Sequence, residues 1–390
     1  MNEVPQSLRS SLTPVFVREL KLAGFRNYSS LRLDLDERHV VLTGENGSGK
    51  TNLMEAVSFL SPGRGLRRAA YEKVGLASGS GAWSVFAELE GAAGPVAIGT
   101  GLLESAAGVE TQRRVRINGA PAKVSDELLE HSRIVWLTPA MDGLFTGPAS
   151  ERRKFLDRLV LAINPAHGRN VADFEKAMRM RNRLLSEDMP DPRWLDAVEV
   201  QMAEAATAIA AARSELVSLV SGMIIANHDP ASPFPDALLS LEGVLEQGHG
   251  DLPASDQEAE YAARLRSARM MDKGAGRTLE GPHRSDLKVF HRPKNMAADL
   301  CSTGEQKALL VGIILAHARL TGSMNGFPPI LLLDEIAAHL DSFRRAALFD
   351  MIDDLGCQAF MTGTDMQLFE AVGARGNFFT VDAGSVKRAA

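Results

Sequence analysis

The chain has 390 residues, 45% hydrophobic and 24% charged, enough for roughly two or three globular units with a sizeable buried core, which excludes disordered and collagen-like classes. A formal charge of -6 gives no bulk basic signal, so any nucleic-acid partner has to be met by local basic patches. Two cysteines, Cys301 and Cys357, cannot build a disulfide framework and have no CxxC or histidine neighbour at metal-ligand spacing, so a reduced cytoplasm is the expected home.

The N-terminal MNEVPQSLRSSL carries no apolar export segment, and the longest apolar stretches, 308–316 and 330–333, fall short of the roughly 18 residues of a membrane span, so no membrane partner is expected. Strands are predicted over 15–22, over 31–35 where leucine alternates with charge, and over 40–43 before a Gly-rich loop. Helix chemistry follows over 51–60, stopped by Pro62, Gly63 and Gly65. Residues 76–124 return to short strands with Gly-rich turns, and Asn118-Gly119 marks a hairpin. Three long helices are predicted over 150–162, 166–186 and 192–223, with turns at Asn164-Pro165 and Met189-Pro190. Their heptads are too few for an extended coiled coil, so they form an arm or small bundle. Residues 229–256 read as loop and short strand, and α/β patterning resumes after Gly274.

Gly44-Glu45-Asn46-Gly47-Ser48-Gly49-Lys50-Thr51 matches GxxxxGK(S/T) between a predicted strand and a predicted helix. In that context the glycines let backbone N–H groups converge on phosphate oxygens, Lys50 reaches the β- and γ-phosphates, and the Thr51 hydroxyl ligates Mg²⁺. The apolar run Pro329 to Leu333 ends in Asp334-Glu335, as a buried parallel strand does at the edge where α/β sheets place ligands. Asp334 is expected to hold Mg²⁺ through water, and Glu335 to polarise the water attacking the γ-phosphate, as in an ATPase that hydrolyses with a carboxylate. Between the two motifs, Cys301-Ser302-Thr303-Gly304-Glu305-Gln306-Lys307 opens a helix; it reads either as a second phosphate-facing turn or as a Ser/Thr N-cap completed by Glu305.

This arrangement, with Ala338-His339-Leu340-Asp341 behind the acidic pair, resembles the ABC-type ATPases of the SMC and DNA-repair group. Phe25-Arg26-Asn27-Tyr28, Glu55-Ala56, Ser150 to Asp157 and Gly281-Pro282-His283-Arg284-Ser285-Asp286-Leu287 narrow the likeness to the RecF family of recombination mediators, over essentially the whole chain. The resemblance implies an α/β ABC-type P-loop head of mixed and parallel sheets, residues 1–137 and 270–390, with an inserted all-helical arm, 138–269. It implies ATP and Mg²⁺ as cofactors and an ATP-dependent homodimer. In that dimer the P-loop of one chain faces Ser302, Gly304 and Asp341 of the other, with Glu335 and Lys50 carrying hydrolysis. Duplex DNA, gap junctions and also single strands are the implied nucleic-acid partners, RecR and RecO the implied protein partners, and the implied role is DNA replication, recombinational gap repair and the SOS response. The implied turnover is weak, DNA-dependent and switch-like. Glu305 departs from the usual ABC turn, where a carboxylate beside phosphate has to be neutralised. No histidine follows Met361-Thr362-Gly363, so Thr364 or Asp365 is the candidate for the missing switch residue.

Between Glu151 and Arg183 nine Lys and Arg face four Asp and Glu. Further basic clusters lie at Arg64, Arg67, Arg68 and Lys73, at Arg113, Arg114 and Arg116, and from Arg264 to Arg277; as a set they are expected to meet a phosphate backbone, while any one of them reads equally as a solvated helix face paired at i,i+4. Three Trp and three Tyr disfavour a stacking-based reader of single strands. Two rival readings are a transporter ATPase subunit, disfavoured by the large insert, and a nuclease-coupled ATPase, which requires a second acidic metal cluster that the sequence does not carry. His283 and Arg284 are expected to position rather than attack, and both cysteines to be buried thiols.

Overall fold

In the computed structural model the described residues are 12–91, 93–105, 108–109, 112–189, 191–246, 252–338 and 340–389. Pro190 of the expected turn, His339, and all but the last residue of MNEVPQSLRSSL lie outside them. The chain divides into two compact units: Met1–Asp142 with Asp229–Phe234 and Leu310–Ala390, and Gly143–His228 with Pro235–Leu309.

The first unit opens with strands β1 (Phe16–Phe25), β2 (Tyr28–Asp34) and β3 (His39–Thr43), then helix α1 (Lys50–Ser58). Strands β4 (Trp83–Gly91), β5 (Gly94–Leu102), β6 (Glu104–Ser105), β7 (Gly108–Val109), β8 (Arg114–Ile117), β9 (Ala120–Pro121) and β10 (Ile134–Leu137) follow. Asn118 and Gly119, at φ 51 and 82, make the tight β8–β9 hairpin that their dipeptide forecasts.

In the second unit, α2 (Ala149–Ile163), α3 (His167–Ser186) and α4 (Pro192–Ala226) are the three long helices. Strand β11 (Ala237–Glu242), helices α5 (Ala254–Ser267) and α6 (Arg269–Ala275), and strands β12 (Asp286–His291) and β13 (Met296–Ala297) complete it. Helix α7 (Thr303–Asn325) leads back to the first unit, which closes with β14 (Ile330–Leu333), α8 (Ser342–Asp354), β15 (Ala359–Gly363), β16 (Gly376–Asp382) and β17 (Ser385–Arg388).

Two six-stranded sheets build the first unit. One, in the order β2-β1-β4-β5-β8-β9, is antiparallel. The other runs β10-β14-β15-β3-β16-β17 and is parallel apart from its last pair. Strands β3, β14 and β15 are buried along their whole lengths, and each carries an apolar run, 40–42, 330–333 and 359–361. The core knits the sheets together through Phe25, Phe59 and Trp83, whose rings meet edge-on or tilted at 4.9 to 6.0 Å between centroids. Each such pair adds about 0.5–1.5 kcal/mol beyond area burial.

The expected return to the head at residue 270 is not where the compact units change over, because β12 pairs along its length with β11 and the 269–309 stretch packs with the helices. The arm, expected as all-helical, therefore carries a three-stranded sheet as well, in the order β11-β12-β13. Residues 254–275, not foreseen as helical, form α5 and α6. Helices α4 and α7 are long and apolar enough by composition to cross a membrane, although no single apolar stretch in them reaches that length; most of the α7 window is buried in the protein.

Inside the second unit α3, α4 and α5 share a core of Phe174, Val198, Met202, Ile209, Tyr261 and Leu265. Arg181, fully buried, donates from Nε to Glu199 (2.9 Å) and from Nη1 to Asp272 (2.6 Å) and Thr278 (3.0 Å), and from Nη2 to the Leu265 carbonyl (2.6 Å). Glu199 and Asp272 are themselves 1% and 2% exposed, so the guanidinium is what makes two buried carboxylates tolerable. Arg181→Met, which keeps the stem and deletes the charge, is expected to destabilise this unit by about 3–5 kcal/mol, read as a lowered urea midpoint.

Candidate functional site

The edge of the parallel sheet brings the motifs together. Strand β15 lies between β14 and β3, with Leu333 opposite Met361 and Leu42 opposite Thr362, so the residues leaving β14 and β3 flank the end of β15. The loop 44–49 leaves β3 and passes into α1. Gly44 has φ 147 and Gly49 φ 119; a Cβ on Gly44 would strike the Val381 carbonyl, and one on Gly49 would lie 2.5 Å from Asn27 Nδ2 and 2.9 Å from the Tyr28 hydroxyl. Both glycines are required by backbone and space together.

The carbonyls of the loop are engaged from below. Tyr28 Oη donates to the Gly49 carbonyl (2.9 Å), and Asn27 Nδ2 (3.1 Å) and the Gly384 N–H (3.2 Å) donate to that of Ser48. Lys50 Nζ donates to the carbonyls of Gly44 (2.6 Å) and Glu45 (2.8 Å). Glu45, Asn46 and Gly47 form the exposed crest, while Ser48 Oγ is buried with no hydrogen-bond partner among the described residues. Burial holds the Lys50 ammonium below its ordinary pKa, a shift that the nearby Glu335 and Asp334 oppose.

Phe25 to Tyr28, used above only as a mark of resemblance, form a clamp on this loop and on α1. Phe25 packs on Phe59, Arg26 forks onto the fully buried Glu55 (2.7 and 2.8 Å), and Asn27 Oδ1 accepts from Asn52 Nδ2 (2.7 Å). Arg67 adds a second cation on Glu55 at 3.0 Å.

Thr51 Oγ1 lies 3.1 Å from both carboxylate oxygens of Asp334, which is 5% exposed. Two hard oxygen donors on facing elements fit a divalent cation of the Mg²⁺ kind. Glu335 follows with φ 50, a left-handed backbone that costs a residue with a Cβ about 1–2 kcal/mol, and its N–H donates to Thr362 Oγ1 at 2.8 Å. Asp341 is exposed and caps α8, accepting from the Arg344 N–H at 2.8 Å. Of the two candidates for the switch position, Asp365 accepts from the Gln367 N–H (2.9 Å) to start a short 3₁₀ stretch, and Thr364 is exposed.

Ser302, Gly304 and Glu305 fall in the second unit, at the start of α7. Glu305 turns back on Ser302: its Oε2 accepts from the Ser302 N–H (3.0 Å) and hydroxyl (2.9 Å) while Lys294 pairs with Oε1. Of the capping box only the Glu305 half is present, its carboxylate taking the Ser302 N–H, and the extra carboxylate is neutralised by a lysine eleven residues back that no local motif marks. A Cβ on Gly304 would meet nothing within 4 Å, so the chain's own packing does not call for a glycine there. His283 lies against Phe174, with Nε2 3.1 Å from the Thr278 carbonyl, and burial lowers its pKa; both point to packing rather than attack. Cys301 and Cys357 are buried free thiols, and burial pushes Cys357 up to about 12.

The basic clusters are sorted by their partners. Arg152 pairs with Asp286 (2.7 Å), Arg153 donates to the Ser285 carbonyl (2.8 Å), and Arg113 caps the end of α1 through the carbonyls of Phe59, Ser61 (3.1 Å) and Gly63 (3.0 Å). With Arg67 and Arg181 these cations hold the fold together, correcting their place among the expected phosphate contacts. Arg264, Arg266 and Arg269 pair with Glu260, Asp196 and Glu199. By contrast Arg169, Lys176, Arg179 and Arg183 form an exposed stripe along α3, opposite its buried Phe174, Ala177 and Arg181. Among the described residues only Arg179 of the four has a carboxylate within ion-pair range, Glu175 at 3.5 Å.

A phosphate loop after β3, an acidic pair after β14 and a second, antiparallel sheet in the same unit define the P-loop ATPase head of the ABC and SMC type. The RecF/RecN/SMC N terminal domain model matches residues 16–386. The DNA replication and repair protein RecF of Rhizobium rhizogenes is 61% identical over 96% of this chain and 99% of its own length, and that of Brucella suis is 59% identical over 95% and 96%. The chain thus belongs to the RecF family of DNA replication and repair proteins. In fold it matches a structure of the recombination mediator RecF with ATPrS in the RecFOR pathway, at TM-score 0.83, 22% identity and coverage of 97% of this chain and 100% of that one. It also matches the Smc head of Pyrococcus furiosus bound to the ScpA C-terminal domain, at TM-score 0.53, 16% identity and coverage of 96% of each chain.

Lys294, then the hydroxyl and N–H of Ser302, hold the Glu305 carboxyl at about 2, below its ordinary 4.5. A depressed carboxylate adds stability above the unfolded value and loses it as pH falls through 4.5 toward 2. Glu305→Gln is therefore expected to melt below the wild type at about pH 7, with the gap narrowing below about pH 4.5 in a thermal-shift series.

Proposed function

We propose that this chain binds ATP and Mg²⁺, dimerises on ATP, holds duplex DNA near single-strand gaps and releases it on hydrolysis. The observation that carries this is the Thr51–Asp334 contact at 3.1 Å with Glu335 next in the chain, beneath a loop whose carbonyls are already engaged. ATP would lay its phosphates over the loop 44–49, with backbone N–H groups of the loop other than that of Ser48, which donates to the Glu45 carbonyl at 3.2 Å, and with the Ser48 hydroxyl turned toward them. Lys50 would exchange the carbonyls of Gly44 and Glu45 for phosphate oxygens. Thr51 and Asp334 would hold Mg²⁺, which when bound neutralises charge on the β- and γ-phosphates. Glu335 then orients the attacking water and accepts its proton as the terminal P–O bond breaks.

Ser302, Gly304 and Asp341 would meet the nucleotide of a second copy. The open space over Gly304 and the exposure of Ser302 and Asp341 support this, since none of the three is enclosed by its own chain. For Ser302 to reach a phosphate its hydroxyl must leave Glu305, which makes nucleotide sandwiching a switch rather than a static fit. Turnover is accordingly weak and DNA-dependent in this reading. The relatives' role in DNA replication and repair, and the RecFOR context of the structural match, support RecR and RecO as protein partners and recombinase loading at gaps as the outcome.

Glu335→Gln is expected to bind ATP, lose turnover by roughly 100-fold or more and accumulate as dimer, while Lys50→Arg hydrolyses weakly. Light scattering with saturating ATP and Mg²⁺ checks it; a Glu335→Gln protein that stays monomeric would sink the composite site. DNA contact is expected to run along the α3 stripe, where Arg169, Lys176, Arg179 and Arg183 recur on one face over 15 residues. Changing Arg169, Lys176 and Arg183 to glutamine in the Glu335→Gln background is expected to lower the slope of log affinity against log salt by roughly 2–3. An unchanged slope in fluorescence anisotropy would place the DNA elsewhere.

A further inference from the structure

Strand β15 separates the phosphate-loop strand from the strand that delivers Asp334 and Glu335, and the side chain at its inner end is Thr362, fully buried. Its hydroxyl makes two contacts, with the Glu335 N–H at 2.8 Å and with Asp334 Oδ1 at 2.7 Å. Their directions are not interchangeable. An amide N–H only donates, so the hydroxyl accepts there, and its single proton must go to the Asp334 carboxylate. One atom thereby ties the carboxylate beside Thr51 to the backbone of the next residue, which sits at φ 50. Nothing in the motif reading assigns Thr362 a role, and the two residues expected in the vicinity, Thr364 and Asp365, make no contact with the acidic pair in the bonds described above.

We propose that Thr362 is the positioning residue of the hydrolytic site: it sets Asp334 and Glu335 relative to one another, so that cation binding at the first and placement of the second are a single geometric event. The inference rests on the reading of Glu335 as the residue that orients water. Without the hydroxyl, the Glu335 N–H loses its acceptor, the left-handed turn loses its anchor, and the Asp334 carboxylate is free to rotate away from Thr51. Substrate affinity depends mainly on the loop 44–49 and Lys50, which Thr362 does not touch. The step affected is therefore turnover and its cation requirement, with ATP affinity little changed.

The test uses the full chain as wild type, Thr362→Val, Thr362→Ser and Glu335→Gln, each with saturating duplex DNA. ATP turnover is measured across Mg²⁺ concentrations, and binding is followed with a fluorescent ATP analogue. Thr362→Val, near-isosteric and lacking only the hydroxyl, is expected to lose about 10–100-fold in kcat, to keep KM within about 3-fold, and to need more Mg²⁺ for half-maximal rate. Thr362→Ser, which keeps the hydroxyl and drops the methyl, is expected to recover most of kcat. Wild-type turnover and Mg²⁺ dependence in Thr362→Val would overturn the proposal. So would a Thr362→Ser as impaired as the valine variant, or a Thr362→Val that neither melts cooperatively nor binds the analogue, since either makes the residue a packing element only. Should Glu335→Gln itself keep wild-type turnover, the functional reading fails; should it be inactive while Thr362→Val is normal, this inference alone fails.

Discussion

A phosphate-binding loop must aim its amides outward, and a six-residue turn can do so only if its carbonyls find donors elsewhere. In this protein Tyr28, Asn27 and Gly384 supply them, engaging the carbonyls of residues 49 and 48. The clamp starts at the β1–β2 turn of the antiparallel sheet and closes on the loop that leaves the parallel one. The two sheets of the head therefore need each other for function as well as for burial. Arg26 extends the same hold to α1 through Glu55, a carboxylate with no exposure whose charge is balanced by two arginines. Removing one partner from such a cluster costs far more than the cluster contributes against an apolar substitute, so its residues are committed together.

Buried charge organises the second unit in the same manner, through Arg181 with Glu199 and Asp272 and through Arg213 with Asp157. Burial raises the Asp157 carboxyl, but His167 and Arg213 outweigh it and leave the net shift downward, so the carboxylate stays charged inside the helices. Much of the local basic excess between Glu151 and Arg183 goes into internal pairs of this kind. An exposed set of four cations remains along the outer face of α3, and Arg64, Lys73, Arg116 and Arg277 of the other clusters are exposed as well. An acidic protein can in this way present a local basic surface, because long-range net charge is screened within about 10 Å at ordinary salt while phosphate contacts are made at hydrogen-bond distance.

At the start of α7 a carboxylate stands where phosphate is expected to approach. Lys294 and the Ser302 hydroxyl hold Glu305 in place, so the turn is satisfied within its own chain. Thr362 works in the opposite sense at the sheet edge, holding Asp334 and Glu335 in one arrangement. The acidic pair is thus fixed from within its own sheet, whereas the turn at Ser302 is closed by its own carboxylate.

The phosphate loop, the acidic pair and the three long helices were legible from residue order alone, because each depends on contacts within a few residues: glycines at positive φ, an apolar run ending in carboxylates, and a 3.6-residue period. Helix α5 was not, since only Tyr261 and Leu265 face its core and two apolar residues make no periodic signal. The pairing of β11 with β12 across more than forty residues, which carries 269–309 into the arm's unit, was equally hidden. Tertiary structure alone decided which arginines are structural, that Lys294 neutralises Glu305, and that Thr362 joins the acidic pair. In each case the deciding partner lies at least eleven residues away in the chain, and the energy of a buried polar group is set by what lies within about 3 Å of it, whatever its sequence neighbours are.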